Sequence, residues 1–311
     1  MDVVTFGETM GVLRFLEAPQ VGARPRASFA GAESNVAIGL VRLGHTVAWG
    51  GSLGNDLFGD LIVKTLRGEG VNTAAVERIE DRSTGLLASR SAGLGALAVD
   101  YYRAKSAGRV ISANQIDYLL GLEPKILHIT GITPALGERC MKAVEAAVAG
   151  ARDKGVTVTF DVNFRARLWD HKTAAGVLSS IAKSVDVVFG GTAELELLTG
   201  NSERDAAIAQ LLEAGVREVV WKESSTALVA TPDHRVERPG LKVDPVDTIG
   251  AGDAFAAGYI SGLLDGLDAA ERLDRAHLLG AYTVGTLGDW EGGPSRAQIS
   301  RAPIEDGEVA R

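Results

Sequence analysis

The chain has 311 residues, a formal net charge of −8 at pH 7, 46% hydrophobic residues and a single cysteine. That length can bury a sizeable core, and an acidic chain without a clustered basic face is not built to hold nucleic acid or an anionic membrane. One cysteine excludes a disulfide framework, apolar runs stay at strand length, and no basic and then apolar leader is visible, so one domain over 1–311 in a cytoplasmic setting is expected.

Residues 3–7 read as an opening strand, and 10–29 mix β-formers with glycine, proline and charge without a helical stripe. A helical period over 35–43, a strand over 46–50 and a helix over 60–68 follow. Residues 84–109 repeat the β-like mixture until a helical pattern returns at Asn114. Strands over 126–130, 156–161, 185–189 and 218–222 then alternate with helices over 134–154, 206–214 and 252–264. Such alternation predicts a mainly parallel sheet covered by helices on both faces. Helix 252–264 is small and apolar all round, which predicts burial against the sheet. Cys140, inside 134–154, reads as a packed thiol, and His128 as a structural histidine in an apolar strand. None of the five histidines has metal-ligand spacing.

The chemistry concentrates in Asp247-Thr248-Ile249-Gly250-Ala251-Gly252-Asp253, a glycine turn that opens into helix 252–264. Glycines let the N–H groups of Gly250, Ala251 and Gly252 converge on the point faced by the helix's positive end, which makes an anion hole. Asp253 beside it can accept the proton of an attacking hydroxyl, the arrangement that phosphoryl transfer requires. An aspartate of ordinary pKa is already ionised at neutral pH and is expected to need no upward tuning. Glycine turns before helices are common, so the turn taken alone leaves a purely structural role open. Neither GxGxxG nor GxxxxGK[ST] spacing occurs, which speaks against a Rossmann oxidoreductase and a P-loop enzyme.

The string 247–253, followed by Ala254-Phe255-Ala256-Ala257, resembles the signature of the ribokinase (PfkB) family of carbohydrate kinases. Ala30-Gly31-Ala32-Glu33-Ser34-Asn35-Val36-Ala37, with Gly44 and Gly54 downstream, resembles that family's N-terminal signature. The resemblance implies a ribokinase-like three-layer α/β fold with a mainly parallel central sheet and a small β-sheet lid. The lid would come from 10–29 and 84–109 and often pairs subunits, so a homo-oligomer is expected. ATP is implied as co-substrate with Mg²⁺, Asp253 as base, and Gly250, Ala251 and Gly252 as the anion hole. Gly31 and Asn35 would hold the sugar. Asn163, Lys222 and Ser224, with Gly250 and Gly252, would serve the nucleotide, and Glu194 the Mg²⁺ ion.

Within the family the chain is most similar to the 2-keto-3-deoxygluconate kinases. The likeness rests on Gly31 to Asn35, Tyr101-Tyr102-Arg103, Asp161-Val162-Asn163-Phe164-Arg165-Ala166-Arg167-Leu168-Trp169 and Gly288-Asp289-Trp290-Glu291-Gly292-Gly293-Pro294. It implies a sugar acid whose carboxylate meets the planar forks of Arg103 and Arg165, with Tyr101 and Asp289 as further contacts and transfer to the terminal hydroxyl. Three positions depart from the pattern. Gly191-Thr192-Ala193-Glu194 lacks an asparagine, 222–227 lacks both glycines, and Leu87 stands where a tyrosine is usual. A neutral ketose such as fructose, and sugar binding without turnover, stay open on the residues.

Overall fold

Strand-length apolar runs pair, in the computed structural model, into one large sheet with helices on both faces. The structure describes residues 1–17, 19–93, 96–301, 304–305 and 308–309. In chain order the N-terminal part contains β1 (Val3–Phe6), β2 (Met10–Phe15), β3 (Arg26–Ala30), α1 (Ala32–Arg42), β4 (Val47–Gly54), α2 (Leu57–Glu69), β5 (Val76–Ile79), β6 (Leu86–Gly93) and β7 (Ala96–Tyr102). The middle contains α3 (Ala113–Gly121), β8 (Ile126–Thr130), α4 (Ile132–Ala135), α5 (Glu138–Asp153), β9 (Thr157–Asp161), α6 (His171–Ala182), β10 (Val187–Gly190), α7 (Thr192–Thr199) and α8 (Arg204–Glu213). The chain then runs through β11 (Glu218–Lys222), β12 (Thr226–Ala230), β13 (Arg235–Pro239), α9 (Ala251–Leu264) and α10 (Ala269–Val284).

The 9-stranded sheet has the order β13-β12-β11-β10-β9-β8-β1-β4-β5. All its pairings are parallel except β11 with β12 and β12 with β13. The chain winds outward from β1 through β4 to β5, then returns to β8 on the other side of β1. That reversal opens a crevice at the C-terminal ends of β1 and β8, the place where open α/β sheets receive ligands.

Two apolar layers flank the sheet. One joins α1, α2, α9 and α10 around Trp49, Phe189 and Tyr259; the other joins α3, α5, α6, α7 and α8 around Leu119, Val144, Phe160 and Leu178. As its composition requires, α9 is buried from Phe255 to Gly262, and the Tyr259 hydroxyl satisfies itself by donating to Glu218 Oε1 at 2.7 Å. Among the described residues no helix is long and apolar enough to cross a membrane.

The single helix expected over 134–154 is corrected to two. Gly137 takes φ 134, a value closed to L side chains, and separates α4 from α5. Cys140 lies in α5, fully buried, where burial pushes its thiol up to about 12, so it is not a nucleophile. His128 bonds Thr159 Oγ1 through Nδ1 at 2.9 Å, and burial lowers its pKa to about 4, leaving the ring neutral.

The four strands from the segments expected to make the lid, β2, β3, β6 and β7, form a second, 4-stranded sheet of order β3-β2-β6-β7. In it β2 and β6 run parallel, while β3 and β7 flank them antiparallel. This sheet stands over the crevice.

Candidate active site

Between the lid and the C-terminal ends of the central strands lies a cavity of about 790 Å³. Gly31, Asn35, Tyr101, Arg103, Arg165, Gly250, Asp253 and Asp289 all line it, so residues from distant parts of the chain meet there.

Gly250 caps α9 with φ 77, and a Cβ there would stand 1.9 Å from the carbonyl oxygen of Asp289, so both conformation and space demand glycine. The helix has no side-chain cap, which leaves its first N–H groups, from Ala251 onward, aimed outward for an anion. A Cβ on Gly252 would meet only Lys222 Nζ, at 3.6 Å; the approach to the turn is open. Asp253, in the first turn, accepts a hydrogen bond from Asn35 Nδ2 at 2.8 Å.

The charge state of Asp253 differs from expectation. Half-buried in the cavity wall, its carboxyl is pushed by burial up to about 7, with Asp161 adding to the rise and the Asn35 bond, Lys222 and Arg165 opposing it. The expectation of an ordinary pKa failed because it ignored burial. Asp289 is also pushed to about 7, by burial and then by repulsion from Asp253, against the pull of Arg14. Two facing carboxyls of this kind titrate as a pair.

The two arginines singled out in the sequence differ in their surroundings. Arg103 Nη2 is ion-paired with Glu8, a buried carboxylate that also accepts from the Ser106 hydroxyl. Arg165 makes no ion pair among the described residues; its Nη1 reaches only the carbonyl of Phe164, at 3.4 Å. Tyr101, 43% exposed, lies under both Arg103 and Arg167 at 5.8 Å, and Arg167 also donates to the lid carbonyl of Val99 at 2.9 Å.

Asn163, Glu194, Lys222, Ser224, Ala251 and Gly252 do not line this cavity. Lys222 Nζ donates to Asp161 Oδ2 at 2.5 Å. Burial alone would lower the lysine's pKa, but the carboxylates of Asp161 and Glu194 outweigh it and hold it above the usual value. Glu194 accepts from Phe164 N at 2.9 Å and Gly191 N at 3.0 Å, which fixes the loop after β9 to the start of α7. Asn163 adopts φ 39, a left-handed conformation uncommon outside glycine. Ser224 is exposed in the turn between β11 and β12, away from the cavity.

Glu8 and Arg14 also line the cavity and were not singled out in the sequence, while Glu33 and Asp161 were read there only as parts of motifs and given no role. Glu33 accepts from the Thr130 and Thr133 hydroxyls, each at 2.7 Å, and burial raises its pKa. Glu8 and Asp161 each stand at the C-terminal end of a sheet strand, and Arg14 is a charge inside an apolar strand. Those were the available signals.

Residues 1–295 match the model of the pfkB family carbohydrate kinases. The chain is 37% identical over 312 residues to a 2-dehydro-3-deoxygluconokinase of Bacillus subtilis, covering 96% of this chain and 94% of that one. It is 33% identical to another of Thermoproteus tenax, covering 86% and 82%. Its fold matches an E. coli protein solved in complex with ATP and Mg²⁺ at a TM-score of 0.88 and 25% identity, covering 96% of this chain and 97% of that one. With its turn, lid and sheet order in place, the chain belongs to the pfkB family of carbohydrate kinases.

Proposed function

We propose that this kinase transfers the γ-phosphoryl group of ATP to the terminal hydroxyl of a small sugar acid, 2-keto-3-deoxygluconate, giving 2-keto-3-deoxy-6-phosphogluconate. One observation carries the reading: a single cavity holds both a carboxylate base at a helix N-terminus and an arginine, Arg165, that makes no ion pair among the described residues. The relatives named 2-dehydro-3-deoxygluconokinase support the same substrate, 2-dehydro and 2-keto being the same group.

Asp253 accepts the proton of the attacking hydroxyl. A carboxyl titrating near 7 is matched to neutral pH, being ionised often enough to act and basic enough to take a proton. The N–H groups at the start of α9 stabilise charge on the phosphoryl oxygens. Asn35 orients the base through its 2.8 Å bond. Arg165, with Arg103 and Tyr101 on the lid side, receives the substrate carboxylate, and Gly31 and Asp289 complete the sugar's surroundings. The lid excludes water that would otherwise compete for the phosphoryl group.

The other side of Asp253 fits a nucleotide and its metal. Lys222 Nζ would lie 3.6 Å from a Cβ built on Gly252, which places a cation beside the anion hole. Asp161 keeps its Oδ1 buried without a partner, and Glu194 adds a second carboxylate near Lys222. Oxygen donors of this kind suit Mg²⁺ held largely through water, and the bound ion would neutralise charge on the ATP phosphates. Asn163 and Ser224 are assigned to the nucleotide only by their place in the family motifs. A cytoplasmic location fits a reaction that consumes ATP, and pairing of two chains through the lid fits the exposed Tyr102 on β7.

A panel of 2-keto-3-deoxy sugar acids and neutral ketoses, assayed with ATP and Mg²⁺ by ADP release, tests the reading. Acids should be turned over with at least about tenfold higher kcat/KM than ketoses, the value of one charge-assisted contact. Preference for fructose would replace the sugar acid by a neutral ketose.

A further inference from the structure

One cation of the cavity wall takes no part in the proton transfer or the carboxylate contact. Arg14 lies on β2 of the lid, only 6% exposed, and lines the cavity beside Met10 and Val12, which share its face of the strand. Its Nη1 donates to Asp247 Oδ2, and its Nη2 stands 3.8 Å from Asp289 Oδ1.

Those two aspartates belong to the segments that grip the Gly250 turn. Asp247 accepts from Ile249 N at 3.1 Å through Oδ1 and from Gly288 N at 3.3 Å through Oδ2. The carbonyl of Asp289 occupies the space that a Cβ on Gly250 would need. A single lid guanidinium is thus fastened both to the segment that enters the anion-hole turn and to the segment packed against it. Arginine's planar fork can serve two carboxylates at once, whereas a lysine offers one point of charge.

We infer that Arg14 is a positioning residue that joins the lid to the anion hole, holding Asp247 and Asp289 so that the Gly250 turn and Asp253 stay aligned for transfer. This rests on the kinase reading above. Asp289 feels Asp253 on α9, Asp247 before α9 and Glu291 after α10, Asp253 feels Asp161 on β9, Lys222 on β11 and Arg165 after β9, and Arg26 on β3 stands opposite Arg14 in the lid sheet. Of these cations Arg14 is the one that offsets the burial of Asp289.

The test compares Arg14→Met, Arg14→Lys and the double variant Arg14→Met/Asp247→Asn with the parent, on the full chain and the sugar that the parent turns over best. Arg14→Met should lower kcat by roughly 10²-fold, the scale of a small misalignment, with KM for sugar and ATP within about threefold. The acid limb of its kcat/KM profile should move up by about one pH unit, because a cation beside the coupled carboxyls is gone. Arg14→Lys should return the acid limb towards the parent's and recover only part of kcat. Should Arg14→Met fail to fold, the double variant removes the stranded carboxylate; it should melt like the parent and still show the kcat loss. A folded variant with near-parent kcat, or an unmoved acid limb, overturns the inference. So does a rise in KM as large as the kcat loss, which would make Arg14 a substrate contact. A parent that phosphorylates no sugar sinks the kinase reading and this inference with it, whereas defects measured against an active parent bear on Arg14 alone.

Discussion

Asp253→Asn keeps the size of the side chain and can still accept the bond from Asn35, 2.8 Å long in the parent, so its effects isolate the charge. Turnover should fall by about 10²-fold or more, the scale of general-base catalysis. Stability should move the other way. Burial raises the carboxyl from 3.8 to about 7, and each unit corresponds to about 1.36 kcal/mol, giving an upper bound of about 4 kcal/mol. Water in the cavity lowers that to roughly 1–3 kcal/mol. Below pH 3.8 the group is protonated in both folded and unfolded chains, and the parent suffers no penalty. Between there and about 7 the unfolded chain is ionised while the fold retains the proton, so the parent loses stability as pH rises. Above that range the loss is complete and constant. Urea unfolding of parent and variant from pH 4 to 8.5 should therefore show the variant's advantage growing from near zero to a plateau, with Asp289 titrating as part of the same pair. A pH-independent difference, or a variant less stable at pH 8, would refute the argument that the fold holds this carboxyl under strain for catalysis.

Gly252→Val should fold normally, since only the flexible end of Lys222 is near, yet lose turnover by crowding the approach of phosphate; full activity in a folded variant would remove the turn from the mechanism. Arg165→Ala should lower kcat/KM for the sugar acid roughly 10- to 150-fold, the equivalent of about 1.5–3 kcal/mol, while neutral ketoses lose far less and thermal stability is unchanged. Arg103→Ala should show a similar kinetic loss and also a destabilisation of about 3 kcal/mol by urea unfolding, because it strands the buried Glu8 carboxylate. Equal losses for acid and neutral sugars in both variants would contradict the carboxylate reading.

The sheet was readable in the sequence where strands are continuous apolar runs. Expected strands 126–130 and 218–222 coincide with β8 and β11, which are buried along nearly their whole length. The break at Gly137 was not readable, because a glycine inside an amphipathic pattern does not announce a positive φ. Motif spacing located Asp253, Gly250 and Asn35, and the fold brings them together. Charge states and partners lay beyond such reasoning. The proton affinity of Asp253 depends on its enclosure and on Asp161, and the pairing of Arg103 with Glu8 depends on where the lid meets the end of β1. Arg14 read as one charge in a β-rich segment until its partners Asp247 and Asp289 were brought to it by the C-terminal half of the fold.

The base at the start of α9 is proposed to direct phosphate to the far end of a sugar acid. Phosphorus-31 NMR of the product formed from 2-keto-3-deoxygluconate, ATP and Mg²⁺ tests it most directly. One new phosphomonoester resonance coupled to the two protons of the terminal CH₂ group should appear, absent when Asp253→Asn replaces the parent for the same time. Phosphate on another carbon, or no transfer to the acid while fructose is phosphorylated, would contradict it.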